Sequence, residues 1–243
     1  LQLCLITLRN LPMDYAFPTE PVVTLPAMSS KPFPVRRIYC IARNYADHAI
    51  EMGGHPEREE PFFFTKPATA ILQNNSVTPA VMPYPPATQN LHHEVELVVA
   101  MLLGGSNIPV EKANDYIFGY AVGLDMTRRD LQAAAKAKGQ PWDMAKGFDF
   151  SAPCSAITPE FYTGVIARGK IELKVNGEVR QSGDVGDMIW KIPEIISRLS
   201  NLVELCPGDL IFTGTPAGVG PVVKGDRIEA MVQGLDPLMI TIG

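Results

Sequence analysis

Apolar and polar positions along the chain change period several times, and each change marks an element. RRIYCIA (36–42) and FFFTK (62–66) are short, nearly unbroken apolar runs, the pattern of buried strands. HHEVELVVAM (92–101) and DYIFGYAVGLD (115–125) are longer runs rich in β-branched and aromatic residues, and they predict two further strands. KIELKVNGEVRQ (170–181) alternates on both sides of Asn176-Gly177, the pair preferred in a type I′ turn, and so predicts a hairpin. LIFTG, RIEAMV and LMITI, between 210 and 242, add three strand candidates separated by turns containing Gly and Pro.

Helical segments are fewer. NYADHAIEM (44–52) predicts a short helix that Asn44 can cap and Gly53-Gly54 stops. TRRDLQAAAKAKG (127–139) predicts a second, capped by Thr127 and ended by Gly139, and Pro193 opens a third, PEIISRLSNL. Residues 14–34 are loaded with Pro, Ser and Thr, and 71–90 is rich in turn residues. Strands outnumber helices and do not alternate with them, which argues against a doubly wound parallel sheet. The expectation is a β-rich mixed α/β domain over 35–243, preceded by an extension or irregular arm over 1–34.

Composition narrows the function. The formal charge of −5 gives no extended basic surface for nucleic acid or anionic lipid, so a small molecule is the expected partner. Cys4, Cys40, Cys154 and Cys206 show no C-x-x-C or Cys/His spacing, which points away from zinc and disulfides and toward a reducing cytoplasm. No stretch approaches the roughly 20 apolar residues of a membrane span. Residues 1–12 lack the basic start and cleavage site of a signal peptide, and Met13 opens a more typical beginning, so they are expected to be upstream read-through.

The most telling local pattern is Glu94-Val95-Glu96 inside an apolar run, because residues two apart in a strand share a face. Two carboxylates so close in a buried setting require a proton or a cation between them, and hard ions such as Mg²⁺ or Mn²⁺ take oxygen ligands. Asp125, between a strand and a helix start, is a natural third ligand. The same alternation equally describes two glutamates on the solvent face of a half-exposed strand. His48 and Glu51 lie three apart on one helical face, as a general base and its orienting carboxylate would, or as an ordinary surface pair. TGTPAGVGPV (213–222) gathers Gly and Pro around Thr215, where backbone N–H groups can face an anion, or where the chain simply turns. Lys66 and Lys146 each stand alone among apolar neighbours, held near carboxylates or snorkelling outward. Arg128, Arg129 and Gln132 open the helix after Asp125, so one or more can face the same pocket. His92 and His93, just ahead of the acidic pair, are expected to support the ligands from behind or to be structural.

Taken together, RNYADHAIEM (43–52), FFFTKPATA (62–70), NLHHEVELVVA (90–100), GYAVGLDMTRRDLQ (119–132), PWDMAKGFDFSAPC (141–154), the NGE hairpin with DMIW (187–190), and PGDLIFTGTPAGVGPV (207–222) resemble the fumarylacetoacetate hydrolase family. The likeness is to its single-domain acylpyruvate hydrolase branch, nearest the fumarylpyruvate hydrolases of gentisate breakdown. It implies a mixed β-sandwich roll with a few short helices, a homodimer or higher assembly, and Mg²⁺- or Mn²⁺-dependent cleavage of a C–C bond in a 2,4-dioxo acid. Other reactions on the same scaffold, decarboxylation of oxaloacetate or decarboxylation and isomerisation of a tricarboxylate, remain alternatives, as does a binding module without turnover.

By position, the resemblance makes Glu94, Glu96 and Asp125 the metal ligands. His48 and Glu51 become the water-activating dyad on a lid, with Lys146 as the active-site lysine. Arg129, Gln132, Thr215 and Lys66 are the positions that meet substrate. One departure stands out: related sequences usually carry glycine where this chain has Ala42, and losing a residue that tolerates positive φ is expected to alter how the lid enters its helix.

Overall fold

The computed structural model describes residues 15–28, 31–51, 59–74 and 78–243, apart from the side chains of Ala49 and Glu51. Residues 1–12 and the expected helix stop at Gly53-Gly54 lie outside that range.

The long apolar runs build an eight-stranded sheet. Its path runs Phe62–Lys66, Arg37–Ala42, Asp209–Phe212, Val95–Met101, Ile117–Leu124, Ala152–Cys154, Ile71–Gln73, with Thr158–Pro159 pairing beside Ile117–Leu124. A five-stranded sheet, ordered Glu178–Asp184, Lys170–Val175, Arg227–Val232, Leu238–Ile242, Ala80–Met82, lies against one face. The reason is visible in the parity of one strand. Val95, Leu97, Val99 and Met101 join the core shared with Ile171, Leu173, Ile228 and Ile240, whereas Val98 and Ala100 point into a second core with Cys40, Phe212 and Leu25. Being covered on both faces, the central strands read as continuous apolar runs rather than as alternation. Glu96 has the parity of Val98 and Ala100, so the second core ends in a carboxylate.

Among the described residues the three longest α-helices are Ala46–Glu51, Arg129–Ala137 and Ile192–Leu202, and a short one, Asp143–Lys146, carries Lys146. Among the described residues no helix is long and apolar enough to cross a membrane. The hairpin forms as expected, with Asn176 at φ 52° and Gly177 at φ 85°, both in the region a type I′ turn requires.

Three local expectations are corrected. The 92–101 run is two strands, Leu91–His93 and Val95–Met101, which leave Glu94 at the break between different sheets. Asn44 does not cap its helix: its amide donates to Trp190 O (3.0 Å) and Thr213 O (2.8 Å) and accepts from Trp190 N–H (2.7 Å). Thr127 does not cap either, since its one hydroxyl proton is shared between Glu94 (3.3 Å) and Asp125 O (3.1 Å) and the helix starts at Arg129. In each case a buried long-range partner outcompetes the local cap, because a buried polar group left unpaired costs more than a frayed helix end.

Candidate active site

Glu94, Glu96 and Asp125 converge, each offering an oxygen within 4.8 Å of the others, and all three are buried. Sheet register brings them together. The strands Val95–Met101 and Ile117–Leu124 are antiparallel neighbours, with Val95 opposite Leu124, so the residues flanking that pair, Glu94 and Asp125, are adjacent and Asp125 N–H donates to Glu94 O (2.9 Å).

The surrounding charges are distributed unequally. The Lys146 ammonium lies 2.9 Å from Glu94 and 2.6 Å from Asp125, Arg129 reaches Glu94 at 2.5 Å, and Lys66 lies 2.8 Å from Asp125. Burial works to raise the Glu94 pKa, but Lys146 and Arg129 outweigh it and hold the carboxyl below its usual range. Burial lowers the Lys146 ammonium, and Asp125 and Glu94 more than restore it, so it titrates above the ordinary lysine value. Glu96 receives the Gly214 N–H (2.7 Å) and, among the described residues, no ion pair. Burial, then Asp125 and Glu94, push its carboxyl well above the usual range. A proton can relieve that unbalanced site, and so can a divalent cation among three hard oxygen donors. The donor set therefore fits Mg²⁺ or Mn²⁺.

These carboxylates open into a cleft with about 430 Å³ of empty space, open solvent included. Its walls also carry His48, Arg129, Gln132, Lys146 and Thr215, together with Arg43, Lys136, Phe64 and Trp142. Of the anticipated site residues, His48, Lys146, Arg129, Gln132 and Thr215 thus share one cavity with the carboxylate cluster. His48 is only 6% exposed and stands within electrostatic reach of Glu94. Glu51 ends the same helix, but its side chain is not among those described. Lys66 stands behind the cluster: besides Asp125 it donates to Met126 O (3.2 Å) and Lys146 O, and it does not line the cleft. Arg128 turns away onto the Phe148 ring, 4.4 Å from its centroid. His92 and His93 bond Asn90 (2.8 Å) and Gln181 (2.9 Å), and neither lines the cleft.

Sequence reasoning missed the clasp behind Thr215. Gln181, in the hairpin's second strand, donates to Thr215 Oγ1 (2.7 Å) and Pro216 O (2.8 Å) while its carbonyl receives Val95 N–H (3.1 Å). It ties the Gly-Pro loop to the strand that bears Glu96. Nothing local marks it, because alternation shows only that its position faces inward. Ala42 ends a regular strand opposite Phe62, and the positive φ (55°) falls on its neighbour Arg43.

Gly214 is where glycine is required. It sits at φ 93°, and a β-carbon there would stand 2.7 Å from Asn44 Cβ. Gly214→Ala is expected to cost roughly 2–4 kcal/mol, combining backbone strain with overpacking, and to weaken metal binding by withdrawing the N–H from Glu96. Denaturant unfolding and a Mn²⁺ titration of the same preparation check both effects.

The fold and this cluster define a member of a known class: residues 37–242 match the family model described as fumarylacetoacetate (FAA) hydrolase C-terminal, and the chain belongs to that family. The crystal structure of fumarylpyruvate hydrolase from Pseudomonas aeruginosa in complex with Mn²⁺ and pyruvate superposes with a TM-score of 0.93 at 47% identity, covering 94% of this chain and 99% of that one. Fumarylpyruvate hydrolase of Ralstonia sp. is 45% identical over 185 residues, 76% of this chain and 94% of its own. Human mitochondrial oxaloacetate tautomerase is 48% identical over 200 residues, 82% and 88% of the respective chains.

Proposed function

We propose that this protein is a divalent-cation-dependent hydrolase of acylpyruvates, fumarylpyruvate foremost, releasing pyruvate and a carboxylic acid. The observation that carries the reading is the buried Glu94, Glu96 and Asp125 cluster facing a cleft that also holds His48. The Mn²⁺ and pyruvate bound by the Pseudomonas relative support it.

Glu94, Glu96 and Asp125 would hold Mg²⁺ or Mn²⁺, and the bound cation would supply a Lewis acid for the 2-oxo acid end of the substrate. Arg129 and Gln132, hydrogen-bonded to each other at 2.6 Å, and Thr215 orient the substrate carboxylate. His48 takes a proton from water as the water oxygen bonds to the distal carbonyl carbon. The C–C bond between that carbon and the pyruvyl methylene then breaks, its electron pair stays with the pyruvate fragment, and the proton held by His48 is available to the methylene carbon, which becomes the methyl of pyruvate. Lys146 places positive charge beside the fragment as it becomes negative. Lys66 is a positioning residue, fixing Asp125 and the backbone of Lys146. The helix bearing His48 forms one wall and limits the entry of bulk water.

A second reading, enol–keto interconversion of oxaloacetate, is favoured by the identity to the human tautomerase. It needs the same cation and a proton-transferring group, but no attack by water. One experiment separates the two. Protein stripped with chelator and reloaded with Mn²⁺ is given fumarylpyruvate, acetylpyruvate and enol-oxaloacetate in turn. Metal-dependent loss of the dioxo-enol absorbance with one pyruvate per substrate consumed is expected. Enol-oxaloacetate conversion without pyruvate from either acylpyruvate would replace hydrolase with tautomerase.

A further inference from the structure

Two cations of the cleft are unused by this chemistry. Arg129, Gln132 and Lys136 are spaced three and four apart on the Arg129–Ala137 helix, so they form one stripe, and all three line the cleft. Arg129 is engaged by Glu94 and Lys146 by Glu94 and Asp125, but among the described residues neither Lys136 nor Arg43 is paired with a carboxylate. Lys136 and Arg43 stand in each other's field. Lys136 and Arg43 are both exposed at the cleft mouth; partial desolvation there, then the charges of Arg43 and Arg129, pull the Lys136 ammonium below its ordinary pKa. Arg43 is also held at φ 55°, a conformation uncommon for a residue with a side chain. Two unpaired cations facing one cavity repel, and an anion between them relieves the repulsion.

Distance places that anion. Seven residues of helix separate Arg129, at the carboxylate cluster, from Lys136, about 10 Å along the axis. Helical side chains lean toward the N-terminus, so the Lys136 ammonium reaches back toward the cluster. Phe64 and Trp142, with ring centroids 6.0 Å apart, supply an apolar wall for the same cavity.

We infer that Lys136 and Arg43 form a second anion subsite that binds the far carboxylate of a dicarboxylic substrate while the 2-oxo acid end is held at the Glu94, Glu96 and Asp125 cluster. This rests on the hydrolase reading for the identity of the substrate, and it makes the enzyme selective for acylpyruvates whose acyl arm ends in a carboxylate over those with an uncharged arm.

The test uses Mn²⁺-loaded protein and two seven-carbon 2-oxo acids that cannot be cleaved, 2-oxoheptanedioate and 2-oxoheptanoate, with binding followed by calorimetry. Wild type is expected to bind the diacid at least tenfold more tightly. Lys136→Met, which keeps the stem and removes the charge, should erase most of that preference, and Lys136→Arg should retain it. In turnover, Lys136→Met should lower kcat/KM for fumarylpyruvate at least tenfold more than for acetylpyruvate, chiefly through KM. Equal binding of the two acids by wild type, or a preference that survives Lys136→Met, overturns the subsite. If the preference and its loss hold while neither acylpyruvate is cleaved, the subsite stands and the hydrolase reading falls. Cleavage without any preference leaves the reverse.

Discussion

Glu96→Gln is expected to abolish metal-dependent turnover while leaving the metal-free protein at least as stable as wild type. A cation acting as Lewis acid supplies several kcal/mol of transition-state stabilisation, and at about 1.4 kcal/mol per tenfold that is a loss of roughly a thousandfold or more. The stability half of the expectation follows from the pairing. Glu96 has no ion pair among the described residues, and burial with two neighbouring carboxylates already pushes its pKa well above the usual range, so a neutral amide of the same shape removes a strained group. Glu94→Gln should be equally inactive but less stable by about 3–5 kcal/mol, because it strips a partner from both Lys146 and Arg129 and leaves buried positive charge. Calorimetric Mn²⁺ titration, steady-state rates and thermal unfolding of both variants give the answer. Wild-type Mn²⁺ affinity and rate in Glu96→Gln would end the ligand assignment.

His48→Ala should lower kcat by about two to four powers of ten, the usual contribution of a positioned general base, with Mn²⁺ affinity changed only a few-fold. The separation is informative because His48 lines the cleft yet lies outside the carboxylate cluster. A metal affinity that falls as far as in Glu96→Gln would make His48 a ligand instead. Following both acylpyruvate hydrolysis and enol-oxaloacetate conversion in this variant adds a mechanistic distinction. Loss of hydrolysis with conversion retained would mean that His48 serves the attacking water and not proton transfer on the substrate carbon.

How legible the site was depended on range. Glu94 and Glu96 were placed together by the two-residue period, although the structure brings them together differently, across a break where the chain passes from one sheet to another. Asp125 was visible as an acid at the end of an apolar strand. Lys146 was visible only as an isolated cation, with no sign that it spans Glu94 and Asp125. Gln181 carries no signal, and Asn44 carries one that points to the wrong partner, a helix cap. Their partners lie 34 and 146 residues away for Thr215 and Trp190, and an amide alone does not reveal which backbone it will clasp. Lys136 carries no signal in the sequence.

The sequence by itself determined what short-range physics decides. Continuous apolar runs marked central strands, since a strand covered on both faces has no polar side to show. Asn176-Gly177 fixed the hairpin because few other pairs take its turn conformation, and Gly139 ended its helix for the same reason. Tertiary structure decided everything that required competition between partners. Asn44 and Thr127 are good caps in isolation, but each found a buried partner whose loss would cost more than a cap contributes. Sheet order, the union of three carboxylates, and the side of the cluster on which Lys66 stands follow from which strands pair across long separations. That outcome is set by burial summed over the whole chain rather than by any segment's own pattern.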